Sequence, residues 1–513
     1  MFRISIFSIV LLFHCLSSSA FTDHPATHHW YRIYCDSLQG ANIDAAIAYL
    51  EALNMKPKKT IVVGIIDSGV DTASIDLKDA LWTNRKEVAG DGKDNDRNGY
   101  VDDIHGWNFL GTRDGNFNMT SAGTEEFRQF KRLYPKYKSS TREQAKDKNE
   151  FDFYQLMKKK AGISNYLRMF QMSLLKHNAM NTADSIARIH ADEDTLSVQG
   201  ILQMTMTDSL LEKSLEQLYT DLLRAKQDMK WTAFKKQQAD RLDLMRSRIE
   251  GIEKDQDKRL LMGDDLTDAD DRFYGNNILT LDDSYHGTFV AGIVAGQGKG
   301  SQALHGVYPQ ARIMIVRAAP DGDEYDKDVA TSIRYAVDNG AKVINMSIGK
   351  YTSPTPDMAN RAIAYALKKD VIVIQAAGNQ HLNIDTIAYF PTGIDRNGAF
   401  YKNFLRVGAS DQYGHCSAMS NYGNEHVHLF APGEKITSVT PGNGYATEDG
   451  TSVAAPVVSG IAALLRSYFP KLKAWQVCAI LKHSCRSRFD SKTNTTFGIV
   501  DALEAVKQAK IID

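Results

Sequence analysis

Apolar and polar residues follow two different patterns along this chain. In the first, short β-branched runs stand alone: Thr60 to Ile66 (TIVVGII), Ala311 to Val316, Ala341 to Met346 and Val371 to Ala376. They are apolar throughout rather than at every second position, which reads as strands buried on both faces. Helical patterns lie between them, as in Asp328 to Asn339 and Asp357 to Lys368. Strands alternating with helices predict an α/β fold: a doubly wound, mostly parallel sheet with helices on both faces.

The second pattern fills the stretch from about 111 to 261. Leu211, Leu215, Leu218, Leu222, Ala225 and Met229 follow a helical spacing of four and three. So do Ile163, Leu167, Phe170 and Leu174, and Leu242, Met245, Ile249 and Ile252. Ser209 with Glu212 makes a capping-box pair before the longest run. Composition agrees: residues 121–260 hold 47 charged residues, eight Met, four Gly and one Pro. Such a segment favours several helices, each burying one apolar stripe against its neighbours. The expected organisation is therefore a leader over 1–20, an α/β domain in two parts over 21–110 and 262–513, and an all-α insertion over 111–261.

The leader reads as a secretory signal. Arg3 precedes an apolar run from Ile4 to Leu16, and Ser18 and Ala20 are small residues where a peptidase cuts. The run is too short to span a membrane, and no later stretch is long enough. A secreted or periplasmic protein is expected. About 40 residues then precede the first core strand, among them a helix over Ile43 to Leu53 capped by Asn42, too little for an independently folded inhibitory pro-segment. The 513 residues carry 61 Lys+Arg against 62 Asp+Glu. That balance argues against a nucleic-acid partner, whose phosphates demand clustered cations. Of the four Cys beyond the leader, Cys478 and Cys485 are too far apart for a disulfide on one continuous helix. Isolated thiols are expected.

Four motifs fall at strand ends or helix starts: Ile65-Ile66-Asp67-Ser68-Gly69, His286-Gly287-Thr288, Ala376-Ala377-Gly378-Asn379 and Gly450-Thr451-Ser452-Val453-Ala454-Ala455-Pro456. Singly, each is an ordinary structural turn. Together they supply one chemistry. A serine hydroxyl becomes nucleophilic when an imidazole takes its proton. The imidazole needs a carboxylate on its other nitrogen. The oxyanion formed on attack needs aimed donors, here the Ser452 backbone N–H and the Asn379 amide.

With these motifs in the order Asp, His, Asn, Ser, the sequence resembles the subtilisin-like serine proteases (subtilases) over about residues 25–110 and 262–513. The resemblance implies Asp67, His286 and Ser452 as a catalytic triad, Asn379 as an oxyanion-hole side chain, and protein or peptide substrates. Asn345-Met346-Ser347-Ile348-Gly349 resembles the family's substrate-lining strand, so Ser347, Ile348 and Gly349 are expected to pair with an extended peptide. Met419-Ser420-Asn421-Tyr422-Gly423 and Phe430-Ala431-Pro432-Gly433 resemble two further family segments. Lys350 stands at the expected pocket rim, either solvated or favouring acidic substrates.

Asp94-Asn95-Asp96-Arg97-Asn98-Gly99-Tyr100-Val101-Asp102 follows the first half of a calcium loop. Asp94, Asp96, Asn98, the Tyr100 carbonyl and Asp102 are the expected ligands, with Asp91, Asp103 or another segment completing the set. The acidic stretch Asp264 to Asn277 is either a second metal site or a solvated loop. No redox or organic cofactor is expected. The helical insertion could mediate oligomerisation, gate substrate or be a plain surface embellishment.

Overall fold

The protein is described by a computed structural model that covers residues 29–513 apart from 191–195, 206–207, 219–220, 223–224, 227 and 255–256. The expected leader lies outside these residues. The chain divides into two compact units, residues 123–257 and the remainder.

The larger unit is built on a nine-stranded sheet. Its strands are β1 (Val62–Asp67), β2 (Gly106–Asn108), β3 (Arg312–Arg317), β4 (Val343–Met346), β5 (Ile372–Ala376), β6 (Phe404–Ser410) and β7 (Leu429–Pro432). A detached hairpin follows, β8 (Ile436–Thr440) with β9 (Gly444–Glu448), then β10 (Arg486–Asp490) and β11 (Thr495–Ile499). The order across the sheet is β10-β11-β7-β6-β5-β4-β1-β3-β2. Pairing is parallel except between β10 and β11. The doubly wound, mostly parallel α/β class read from the sequence is the class observed.

Side chains of β1 alternate between two cores, as the pleat requires. Val63 and Ile65 join the core formed with helices Ile43–Ala52 (α1), Tyr285–Ala295, Thr451–Tyr468, Ala474–His483 and Ala502–Ile512. Ile66 joins the opposite core, with helices Asp326–Asp338 and Pro356–Lys368. A glycine lets helix Thr451–Tyr468 pack closely on the segment that precedes β3. A β-carbon on Gly460 would lie 2.4 Å from Val307 Cβ.

The smaller unit contains helices α2 (Glu125–Tyr137), α3 (Lys148–Lys160), α4 (Ile163–His190), α5 (Val198–Met204), α6 (Ser209–Leu215) and α7 (Trp231–Lys254). Helices of the larger unit then follow as α8 (Tyr285–Ala295), α9 (Asp326–Asp338), α10 (Pro356–Lys368), α11 (Thr451–Tyr468), α12 (Ala474–His483) and α13 (Ala502–Ile512). The helical unit is narrower than the 111–261 expected. Leu110, Met119 and Met262 are buried together with Tyr325 in the larger unit.

Three local expectations fail for identifiable reasons. The run from Leu211 to Met229 is not one helix: α6 stops at Leu215 and a 3₁₀ turn spans Glu216–Leu218. Leu211, Leu215, Leu218 and Leu222 are still buried in one cluster. Ser209 is not the cap. Asp208 is, accepting from the Leu210 and Leu211 amides at 2.9 and 3.0 Å. Asn42 adopts a left-handed conformation, and its amide donates to Asp501 at 3.1 Å instead of capping α1. Although α12 ends at His483, between Cys478 and Cys485, all four described cysteines are free thiols. Among the described residues no helix is long and apolar enough to cross a membrane.

Gly460→Ala tests the tight packing of α11. Alanine's better helix propensity, about 1 kcal/mol, would stabilise an open site. Overlap with Val307 should reverse the sign, giving a net loss of about 1–2 kcal/mol in urea unfolding. A gain in stability would contradict the packing described.

Candidate active site

Adjacent parallel strands β3, β1, β4 and β5 bring their carboxyl ends to one edge of the sheet. Asp67 ends β1, Ser347 follows β4, and Asn379 lies three residues beyond β5. The chain order reverses at β1, which has β3 on one side and β4 on the other. Open α/β sheets hold ligands at such switch points. His286 and Ser452 are the second residues of α8 and α11. Asp67, His286, Asn379, Ser452, Ser347, Ile348 and Gly349 all line one cavity of about 420 Å³. Residues scattered over 386 positions of sequence thus share one cleft.

His286 Nδ1 lies 2.7 Å from Asp67 Oδ1. Asp67 is buried, and the same oxygen accepts the Ser68 amide at 2.8 Å. Gly287 makes this approach possible: a β-carbon there would stand 2.0 Å from the Gly69 carbonyl oxygen. Burial disfavours the charged ring. The Asp67 charge and hydrogen bond, with a smaller contribution from Glu448, outweigh it and hold the His286 pKa above 6.5. The Asp67 bond also leaves Nε2 as the second nitrogen, able to accept a proton.

Asn379 is fixed by its neighbour. Its Oδ1 accepts from both the amide and the hydroxyl of Thr451, each at 2.9 Å. The amide nitrogen is left on the Ser452 side. A β-carbon on Gly450 would lie 3.1 Å from Ser452 Oγ and 3.2 Å from Asn379 Nδ2. The missing side chain at Gly450 keeps the space between these two groups open.

The Ser347 side chain has a task that the sequence did not indicate. Pro456 has no N–H, so the Ser452 carbonyl four residues earlier loses its helical donor. Ser347 Oγ supplies a replacement at 2.7 Å. Asn345 in turn donates to Ser347 Oγ at 2.9 Å and accepts from Ser459 Oγ at 2.8 Å. The hydroxyl of Ser347 therefore ties the cleft strand to α11, and Ile348 and Gly349 form the wall beyond it.

Sequence reasoning missed several supports. Arg317, buried at the end of β3, donates to Ser68 O at 3.0 Å and to Asp283 Oδ2 at 2.6 Å. A cation closing an apolar strand was the available signal. Asn421, in a segment noted only for its resemblance, donates to Ala377 O at 2.7 Å and accepts the Leu382 amide at 2.9 Å. It braces the loop carrying Asn379. Lys350 is neither solvated nor at the rim. It is buried, with Nζ 2.9 Å from Asp326 Oδ1 and donating to Glu324 O at 2.8 Å. Its charge is committed inside the protein and unavailable to a substrate.

The expected calcium loop is partly reassembled. Carboxylate oxygens of Asp94 and Asp96 lie within 4.8 Å of each other and of Glu87, which the sequence did not single out. Glu87 also accepts the Asp96 and Asp102 amides at 3.0 and 3.1 Å. Asp102 itself does not join the group. It adopts a left-handed conformation, and its carboxylate accepts the Gly90 and Gly92 amides at 2.9 and 3.0 Å. Asn98 Oδ1 accepts the Tyr100 amide at 2.8 Å. Tyr100 anchors the loop through its buried ring, which packs 4.8 Å from Tyr335 and 5.1 Å from Trp107. Burial raises Asp103 to about 6, with its carboxylate taken by Asn84, Asn98 and Tyr335. The acidic stretch from Asp264 is not wholly solvated. The Asp264 side chain is buried against Arg259 and Lys327, the latter at 2.8 Å.

The sequence model described as "Subtilase family" matches residues 58–500. The chain is 36% identical over 241 residues to a thermophilic serine proteinase of Bacillus sp. (strain AK1), covering 47% of this chain and 55% of that protein. It thus spans little more than half the length of that relative. It is 34% identical over 236 residues to thermitase of Thermoactinomyces vulgaris, covering 46% of this chain and 79% of that one. A cold-adapted subtilisin-like serine proteinase of known structure is 28% identical, over 43% of this chain and 75% of that one, with a TM-score of 0.37.

The His286–Asp67 pair can be tested without any substrate. In NMR titrations His286 should lose its proton above pH 6.5, and Asp67→Asn should move that titration to lower pH. Glu448→Gln should move it the same way by less. An unchanged midpoint in Asp67→Asn would contradict the coupling.

Proposed function

This chain belongs to the subtilase family, and we propose that it is an extracytoplasmic serine endopeptidase acting through Ser452, His286 and Asp67. The observation that carries the reading is the convergence of Asp67, His286, Asn379 and Ser452 on one cavity, with His286 bonded to Asp67. Ser452 Oγ attacks the substrate carbonyl carbon as His286 Nε2 takes its proton. Asp67 holds the ring in the required tautomer and stabilises the imidazolium. The Asn379 amide and the Ser452 N–H, at the start of α11, receive the oxyanion. His286 then passes its proton to the leaving amine, and water repeats the sequence to release the acid. The Ser347–Gly349 wall grips an extended peptide through its main chain. The apolar run from Ile4 to Leu16 supports export.

A structural calcium ion is part of the same proposal. Glu87, Asp94 and Asp96 crowd three carboxylates together, and hard oxygens of this kind suit Ca²⁺. The ion would neutralise their repulsion and brace the loop against the aromatic core around Tyr100.

A fluorophosphonate probe should label the full chain, and Ser452→Ala should abolish labelling. No Ser452-dependent labelling would end the protease reading. Asn379→Ala should lower kcat by roughly 10²- to 10³-fold. In kcat/KM against pH, the acid limb should lie above 6.5, because His286 works as a base only after losing its proton and its pKa is raised.

EDTA should lower the melting temperature of the wild type and have no effect on an Asp94→Asn/Asp96→Asn double variant. Asp102→Asn should keep the EDTA response. A wild type indifferent to EDTA would refute the ion.

A further inference from the structure

Two stretches of backbone flank the proposed reaction centre. One is Ser347–Gly349 and the other runs from Ala376 to Asn379; both contribute to the same cavity. A peptide whose scissile carbonyl carbon meets Ser452 Oγ, with its oxygen toward Asn379 Nδ2, places the α-carbon of that residue one bond away. With its main chain paired along Ser347–Gly349 as proposed above, we place its side chain between these two walls. Gly349 and Gly378 border that space and add no β-carbons to it.

The space is not open. A β-carbon on Gly349 would lie 2.4 Å from both Cζ and the hydroxyl oxygen of Tyr389. A β-carbon on Gly378 would lie 3.1 Å from Tyr389 Cε2 and Cζ. The hydroxyl end of the Tyr389 ring is therefore wedged between the walls, and Tyr389 lines the cavity while only 5% exposed. Two contacts hold it there. Tyr351 meets the ring edge-on at 5.2 Å, and Tyr351 is itself held by Asn421 Nδ2 at 2.7 Å. The buried Arg406 guanidinium lies 5.5 Å from the ring centroid. Arg406 is pinned by Gln375 Oε1 at 3.0 Å and the Pro391 carbonyl at 2.8 Å. The ring is packed from below and from the side, as a core residue is.

We propose that Tyr389 fills the subsite for the residue that supplies the scissile carbonyl, so that this protein cleaves after glycine, alanine or serine in preference to leucine or phenylalanine. The inference rests on the nucleophile reading of Ser452. A close-packed site that already holds one aromatic ring has no room for a second. Forcing extra bulk into it displaces neighbours, and discrimination on size in an apolar pocket amounts to roughly 10- to 200-fold.

The test uses the full chain and two kinds of reagent. Peptidyl phosphonates that differ only in carrying an alanine or a phenylalanine side chain at this position label the active serine. Wild type should react with the alanine reagent at least tenfold faster. Peptides differing only at the same residue (Gly, Ala, Leu, Phe) should show the same order in kcat/KM. Tyr389→Ala should raise the rates for Leu and Phe and invert the order. Tyr389→Phe, which keeps the ring, should retain the preference for small residues. Equal wild-type rates with the two phosphonates would overturn the pocket assignment alone, whether or not any variant folds. So would a Tyr389→Ala variant that is labelled by the general fluorophosphonate yet keeps the wild-type order. Absence of any Ser452-dependent labelling would overturn the nucleophile reading and this inference with it.

Discussion

Gly287 has room for no side chain: a β-carbon there would stand 2.0 Å from the Gly69 carbonyl oxygen. That close approach seats α8 against the carboxyl end of β1 and brings His286 within 2.7 Å of Asp67. The rest of the site depends on the same constraint. Asp67 must be buried at a strand end for its charge to act on the ring with little screening. Helices α8 and α11 must both lie on the face of the sheet where Val63 and Ile65 pack. The apolar core and the polar cleft are two ends of the same strands.

Around that contact several polar groups are each held by a second partner. Pro456 frees the Ser452 carbonyl, and Ser347 captures it. Thr451 occupies the Asn379 oxygen and leaves the nitrogen for the cleft. Asn421 braces the Asn379 loop, and Arg317 braces Ser68 behind Asp67. Such hydrogen bonds each contribute little net stability. Their effect is positional, because a donor held by a second partner does not need to be ordered when a reaction charge forms.

The electrostatics also place limits on specificity. Lys350 looks from the sequence like a cation at the cleft, but it is spent on Asp326 beneath it. Asp283, which does line the cavity, is engaged by Arg317. Both of those charges are committed internally, and the Tyr389 ring shapes the space between Gly349 and Gly378.

The sequence alone determined the sheet and picked out Asp67, His286, Asn379 and Ser452, which line one cavity. Apolar runs too uniform for a one-sided strand forced a sheet covered on both faces, and four motifs at strand ends and helix starts fell where such sheets hold ligands. Those signals are local, carried by consecutive residues, so they survive without coordinates. What the tertiary structure decided was every partnership across long distances in the chain. Glu87 joins Asp94 and Asp96 while Asp102 turns away, because a left-handed residue reverses the chain there. Ser347 faces α11 because a proline 109 positions later left a carbonyl without a donor. Tyr389 closes the gap between Gly349 and Gly378 because Arg406 and Tyr351 hold it there. Periodicity reports which face a residue occupies. It does not report what stands opposite, and in this protein the neighbour opposite sets each side chain's task.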